Sequence, residues 1–240
     1  MAASAKARAS GDVHRWMKSL TLCGLLLMLG AHGAAAKLEL PALFSDHGVL
    51  QAGVKVPVWG WAEPGAEVEV AFGGQTLKAT AGADGKWTAT FEPLKASAQG
   101  AVMSVTSGGE TLSVQDVLVG EVWLGSGQSN MAMTVSRSRD YEKEQAAAKL
   151  PAIRMISEGS GAAAEPQTRC KGSWVVCDPE SVGRFSATLF FFGRDLHSTL
   201  GTPMGLINSS VGGTPIESWI GADAQRADPA LKGFFAERKQ

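Results

Sequence analysis

Histidine is scarce in this chain. Its 240 residues contain four, His14, His32, His47 and His197. Cysteine is scarcer: Cys23, Cys170 and Cys177 form no CxxC pair and no zinc-ligand spacing, which excludes the common cysteine-built metal and redox motifs. Charge of one sign is lacking too. The formal net charge is −1, with no long basic or acidic run, so nothing argues for nucleic acid or an anionic membrane as partner. A P-loop is absent because no Gly-Lys-Ser/Thr follows a glycine turn. No internal repeat is present. What remains, 45% hydrophobic and 19% charged residues, is globular composition. The length suits one large domain or two small ones.

The longest apolar run, Leu20 to Leu29, is too short to span a bilayer comfortably. Lys6, Arg8, Arg15 and Lys18 precede it, and Ala34-Ala35-Ala36 follows it as an A-x-A site before Lys37. This pattern predicts a signal peptide over residues 1–36 and a secreted or periplasmic mature chain. An uncleaved anchor or a buried helix is the rival reading. The positive stretch is long, and Met17 makes a tidier start. Removal of residues 1–36 leaves Cys170 and Cys177 as a pair, open either to a short disulfide or to two free thiols.

Residues 37–115 read as all-β. Val68, Val70 and Phe72 alternate on one face of one run, and Trp87 and Phe91 on one face of another. Pro64-Gly65, Gly73-Gly74, Asp84-Gly85 and Gly108-Gly109 punctuate the runs, and Asp84-Gly85 predicts a tight hairpin. Short strands at this spacing suggest a small sandwich-like domain. The texture changes at Asp116. Val117 to Leu124 is a mostly continuous apolar run, as expected of a strand buried on both faces. A helix is expected over 140–150, a strand over 153–157 and another over 204–208. Phe185, Leu189, Phe192, Leu196 and Leu200 recur at helical spacing before a Gly201 stop. Strand, helix, strand in this rhythm makes residues 116–240 an α/β layer.

Gly125-Ser126-Gly127-Gln128-Ser129-Asn130-Met131 follows the apolar strand directly. Glycines there let the chain turn sharply. A serine at such a turn stands at the carboxyl edge of the sheet, where open α/β sheets place ligands. Its own N–H can help hold an oxyanion, more so at the start of a helix. The segment is not a G-x-S-x-G elbow, because Met131 stands where the second glycine belongs. A second strand candidate also ends in glycines, Gly212-Gly213, before Thr214-Pro215-Ile216-Glu217-Ser218-Trp219. Taken singly, each segment reads as an ordinary turn. The tryptophans could stack on sugars, but Trp87 and Trp123 sit in strand patterns that predict core positions. Arg137 and Arg139 read as solvated charge.

Residues 119–131 resemble the nucleophile block of the sialate O-acetylesterase family. Leu43 to Gln51 is similar to that family's opening segment, and Phe185-Ser186-Ala187 and residues 212–219 match two later signatures in order. The resemblance covers nearly all of residues 38–221. It implies a flavodoxin-like three-layer SGNH-hydrolase core, with residues 116–240 its N-terminal portion, behind the β-sandwich-like domain of 37–115. It also implies Ser129 as nucleophile and the Ser129 and Gly213 N–H groups as oxyanion donors. Gln128, Asn130 and Trp219 are the expected substrate contacts, and the substrate is an O-acetylated sialic acid or other glycan. No metal, cofactor, nucleic-acid or membrane partner is implied; oligomeric state is left open. The family's base, a histidine in a D-x-x-H motif, and its Gln-Gly-Glu block are missing from these residues. His47 and His197 lie in the wrong contexts and read as structural or solvent-facing. The 240 residues are therefore expected to be the first part of such an enzyme and inactive alone. The rivals are a non-catalytic carbohydrate-binding module and a fragment that does not fold stably.

Overall fold

The computed structural model describes residues 37–231 apart from 160, 162 and 164; the expected signal peptide lies outside them. The expected runs form strands. They are β1 (Val49–Gln51), β2 (Val56–Trp61), β3 (Glu67–Phe72), β4 (Gln75–Thr80), β5 (Lys86–Phe91), β6 (Ser97–Ser107) and β7 (Glu110–Gly127). Gly73-Gly74 and Gly108-Gly109 all adopt positive φ and close the β3–β4 and β6–β7 hairpins. The Asp84-Gly85 hairpin is not formed, because β4 and β5 belong to different sheets. Only Gly85 has positive φ there, and the Asp84 carboxylate accepts the Lys86 N–H at 3.0 Å. That turn carries the chain from one sheet to the other. The alternation is as read: Val68, Val70, Phe72, Trp87 and Phe91 are all buried. They join Val58, Met103, Val105, Val114, Val117 and Val119 in one hydrophobic cluster.

The remaining elements are α1 (Ser129–Ala132), α2 (Tyr141–Ala147), β8 (Leu150–Ser157), β9 (Val175–Cys177), α3 (Ala187–Leu200), β10 (Met204–Ser210) and α4 (Ala222–Ala227). One sheet runs β4-β3-β6-β7-β10-β8-β9, with β1 beside β7, while β2 and β5 pair separately. The architecture is mixed α/β with a large sheet and few helices. β7 serves two neighbourhoods. Its first half pairs antiparallel with β6, and its second half pairs parallel with β10. β8 then pairs parallel with β10. A second cluster, built on Ile153, Met155, Met204, Leu206, Leu189 and Phe190, seats α3 on one face of the parallel strands. Gly193 allows the close approach, since a Cβ there would lie 2.6 Å from Leu206.

Asp116 fastens the loop before β1 to β7. Its carboxylate accepts hydrogen bonds from Arg154 at 2.6 Å and from His47 Nδ1 at 2.8 Å. His47 and Asp116 both hold positive φ, a conformation that costs a non-glycine residue energy and that these contacts sustain. Cys170 and Cys177 are free thiols, and burial pushes the Cys177 thiol up to about 12.

Candidate active site

Ser129 begins the single helical turn α1, two residues past the end of β7. The glycines do what the turn requires: Gly127 has φ +131. Gly125 is closely packed, because a Cβ there would lie 2.9 Å from Leu189 and 3.0 Å from Met131 Sδ. The expected helix is shorter than a dipole argument needs, four residues, so the turn offers backbone N–H groups rather than a macrodipole. Gln128, Ser129 and Asn130 are exposed. The Ser129 hydroxyl donates to Gln128 Oε1 at 2.6 Å. A neutral amide oxygen can orient that hydroxyl but cannot take its proton.

The glycine loop comes beside this turn through strand register. Ser210 pairs with Gly127, and the next residue, Val211, donates its N–H to the Gly127 carbonyl at 3.0 Å. Gly212 and Gly213 follow, exposed, with Gly213 at φ +82. Thr214 and Trp219 stiffen the loop. The Thr214 hydroxyl donates to Val211 O at 2.8 Å, and the Trp219 indole N–H donates to Thr214 Oγ1 at 2.9 Å. Gln225, buried, donates to the carbonyls of Glu217 and Ile220 and holds the following turn. So Gln128, Ser129, Asn130, Gly213 and Trp219 lie on adjoining turns at one sheet edge.

Of two further supports, Ser186 entered the sequence reading only as part of the Phe185-Ser186-Ala187 signature, and Thr188 was not singled out. Ser186 caps α3, accepting the Leu189 N–H at 3.2 Å, and touches Met131 Sδ at 3.5 Å. Thr188 donates to the Asn130 carbonyl at 2.9 Å. A serine just before an apolar helical period is the signal that could have found the cap.

The two described histidines lie at the other edge. Val49 pairs with Leu118, so His47 sits beside Asp116. Asp116 precedes Gly127 by about 36 Å of strand at ~3.3 Å per residue. His197 is in the last turn of α3, its Nδ1 2.8 Å from Thr202 O, just before β10 begins opposite Glu121. Neither reaches Ser129. Hollows of about 760 and 650 Å³ surround His47 and Trp174, away from the serine. Among the described residues no group of three or more His, Cys, Asp or Glu could hold a metal ion. Arg139 is solvated, its side chain 94% exposed.

The tryptophans of the β-rich part are mostly occupied. Trp87 is buried, Trp59 packs edge-on against Phe44, and Arg169 covers the Trp61 ring at 4.1 Å. They form no open sugar platform. Trp123, expected in the core, is 41% exposed and packs edge-on against Phe192.

Fold and site together define an α/β chain with an exposed serine and a glycine loop on neighbouring parallel strands at their carboxyl edge. No protein-family model matches it. Sialate O-acetylesterases of rat, mouse and human do. The rat protein is 34% identical, over 85% of this chain and 42% of its own length. The mouse protein is 37% identical, over 68% and 33%. The human protein is 35% identical, over 71% and 36%. A carbohydrate acetylesterase from Xanthomonas citri is similar in structure, with a TM-score of 0.76 and 35% identity, over 80% of this chain and 44% of that one. The chain belongs to the sialate O-acetylesterase family. It spans less than half the length of the curated relatives it matches.

Proposed function

We propose that this chain carries the nucleophile and oxyanion side of a carbohydrate O-acetylesterase site. The observation that carries the reading is the Gly127–Val211 hydrogen bond, which brings the Gly213 loop beside the Ser129 turn. In the reaction, Ser129 Oγ attacks the acetyl carbonyl carbon and a base takes its proton. The N–H groups of Ser129 and Gly213 hold the oxyanion. The sugar oxygen leaves with that proton, and water then releases acetate from acetyl-Ser129. Gln128 and Asn130 border the serine and Trp219 the glycine loop, so these three are assigned to the sugar. The substrate class, an acetylated sialic acid or another acetylated glycan, follows the relatives' names.

Two finer assignments go with this reading. The parallel strands with α3 are the first part of a flavodoxin-like SGNH core over 116–240, and the β-rich part over 37–115 is its sandwich-like companion. Residues 1–36 export the chain to a secreted or periplasmic location. N-terminal sequencing of exported protein that starts at Lys37 supports this.

No base stands at Ser129 among the described residues, so acylation and deacylation are both slow, and with an activated ester, whose phenolate leaves more readily than a serine alkoxide, acylation is the faster of the two. The test uses that imbalance. The chain is incubated with p-nitrophenyl acetate at mildly alkaline pH, where hydroxide can take the proton, and mapped by mass spectrometry. The expected result is one acetyl group accumulating on Ser129 of the folded chain. Acetylation of lysines alone, or equal acetylation of Ser129 in urea, overturns the assignment.

A further inference from the structure

The nucleophile turn α1 is closed by Ala132 N donating to Gln128 O and Met133 N donating to Ser129 O, each at 2.9 Å. A single helical turn does not hold itself in water, so its placement depends on what it is tied to. Thr188 donates to Asn130 O, Ala187 N donates to Met133 O at 2.8 Å, and Thr134 bridges to Ser186, all at the start of α3. Met131 adds a tie through its side chain. Its sulfur accepts the Ser186 hydroxyl at 3.5 Å, and a Cβ on Gly125 would lie 3.0 Å from it. Met131 also packs against the cluster that holds Leu189 and Phe190. One thioether thus touches the end of β7, the cap of α3 and the core beneath, two residues from Ser129.

A thioether is chemically changeable where its neighbours here are not. Among the described methionines, Met103, Met155 and Met204 are at most 1% exposed, which shields them from an oxidant in solution. Met131 is half-buried and Met133 is 39% exposed. The two described methionines that a small oxidant reaches therefore lie on or next to the turn that carries Ser129. They differ in attachment. Met133 is tied by its backbone and its side chain is open to solvent, whereas Met131 is tied through its sulfur.

We propose that Met131 is an oxidation-sensitive positioning residue: hydrogen peroxide converts its thioether to the sulfoxide, the turn comes away from α3, and Ser129 loses its reactive placement. The inference rests on the acetylesterase reading for the role of Ser129. In the step, a sulfur lone pair attacks one peroxide oxygen, and the O–O bond breaks as the S–O bond forms. Sulfur is oxidised by two electrons. The other peroxide oxygen is reduced and leaves as water, taking the proton of the transferred oxygen. The product is polar where the thioether was apolar, and no longer suits the cluster that holds Leu189. An oxygen set between sulfur and Ser186 needs about 2.7 Å to the hydroxyl beyond the S–O bond itself. The 3.5 Å contact must therefore open, and Ser186, which caps α3, moves with it.

The folded chain is treated with dilute hydrogen peroxide, acetylated with p-nitrophenyl acetate and mapped by mass spectrometry. The expected result is sulfoxide at Met131 and Met133 but not at Met103, Met155 or Met204. Acetylation of Ser129 slows about tenfold or more, within the roughly hundredfold loss that a misplacement of about 1 Å brings. Lysine acetylation in the same maps is unchanged, and methionine sulfoxide reductases restore the Ser129 rate. Met133→Leu responds to peroxide as the wild type does. Met131→Leu starts slower than the wild type, having lost the sulfur contact, but its rate no longer responds to peroxide. Hydrogen exchange supplies a readout independent of serine chemistry: oxidation speeds the amides of Ala132 and Met133 and leaves those of β3 and β5 unchanged. If Ser129 is not acetylated even before oxidation, the nucleophile reading falls and the exchange alone decides for Met131. Oxidation that spares Met131, a Met131 sulfoxide that leaves the Ser129 rate or the two amides unchanged, equal sensitivity of Met131→Leu, or faster exchange throughout the chain each overturns the inference.

Discussion

At the scale of single residues, the strongest commitment is Asp116. Arg154 is 5% exposed and points one guanidinium nitrogen at the Asp116 carboxylate. Arg154 also donates to two carbonyls, Pro151 O at 2.8 Å and His47 O at 3.4 Å. Removing the carboxylate leaves a buried cation without its counter-charge, a loss of about 3 kcal/mol for such a pair. Asp116→Ala adds the strain of alanine at φ 54, whereas Asp116→Asn tolerates that conformation. The expected order of stability is wild type, Asn variant, Ala variant, measured as urea midpoints. The hydrogen bond from Arg154 holds the Asp116 carboxyl below the usual carboxylate range; the His47 bond adds to this and burial opposes it. A group depressed in the folded state contributes stability above its unfolded value, about 3.9, and loses it as pH falls through the folded one. The wild-type midpoint should therefore fall more steeply below about pH 4 than that of Asp116→Asn. Parallel slopes would contradict the assignment.

At the scale of elements, the nucleophile turn is held from α3 rather than by its own short helix. Ser186 caps α3 and touches Met131, and Thr188 holds the Asn130 carbonyl. Ser186→Ala should cost about 1 kcal/mol, the usual worth of an N-cap. It should also speed exchange of the Leu189 amide and slow acetylation of Ser129. An unchanged acetylation rate would show that α3 does not position the turn. The limits of sequence reading are clearest at this scale. β3, β5 and α3 were legible because each buries one face, and the period of two or 3.6 records that burial. The partners of β4 and β5 were not, since pairing across sheets leaves no local mark; the hairpin expected at Asp84-Gly85 failed for this reason. The glycine turns were legible as turns, but register alone revealed that they adjoin. The apolar run Val117–Leu124 predicted burial throughout, yet only Val117–Gly120 is enclosed by neighbours, and Trp123 and Leu124 are exposed. Hydrophobicity in a run states what a strand must bury, not which chain buries it.

At the scale of the whole molecule, β7 links two hydrophobic clusters: it contributes to the first directly and pairs with β10, which contributes Met204 and Leu206 to the second. Val114, Val117 and Val119 sit in the β-rich cluster, and the next stretch of the same strand lines up with β10 above the α3 cluster. The join is at Gly120. Its carbonyl accepts Ala52 N at 2.7 Å, and the neighbouring Glu121 N–H donates to Pro203 O at 2.9 Å. A Cβ on Gly120 would lie 2.1 Å from that Pro203 oxygen, a backbone atom that cannot rotate away. Gly120→Ala should therefore cost about 3 kcal/mol by forcing β7 and β10 apart. Gly212→Ala is the matched control, with nothing within 4 Å of its Cβ, and should change stability by less than about 0.5 kcal/mol. Because one strand belongs to the first cluster and pairs with a strand of the second, the wild-type chain should unfold in a single transition. Tryptophan fluorescence, carried by Trp59, Trp61 and Trp87 in the β-rich part and equally by Trp123, Trp174 and Trp219 outside it, should coincide with far-ultraviolet circular dichroism of the whole. In Gly120→Ala both probes should resolve two steps, with the α3 cluster melting first because its sheet has an open edge. A single step in that variant would mean the clusters are joined by contacts other than β7.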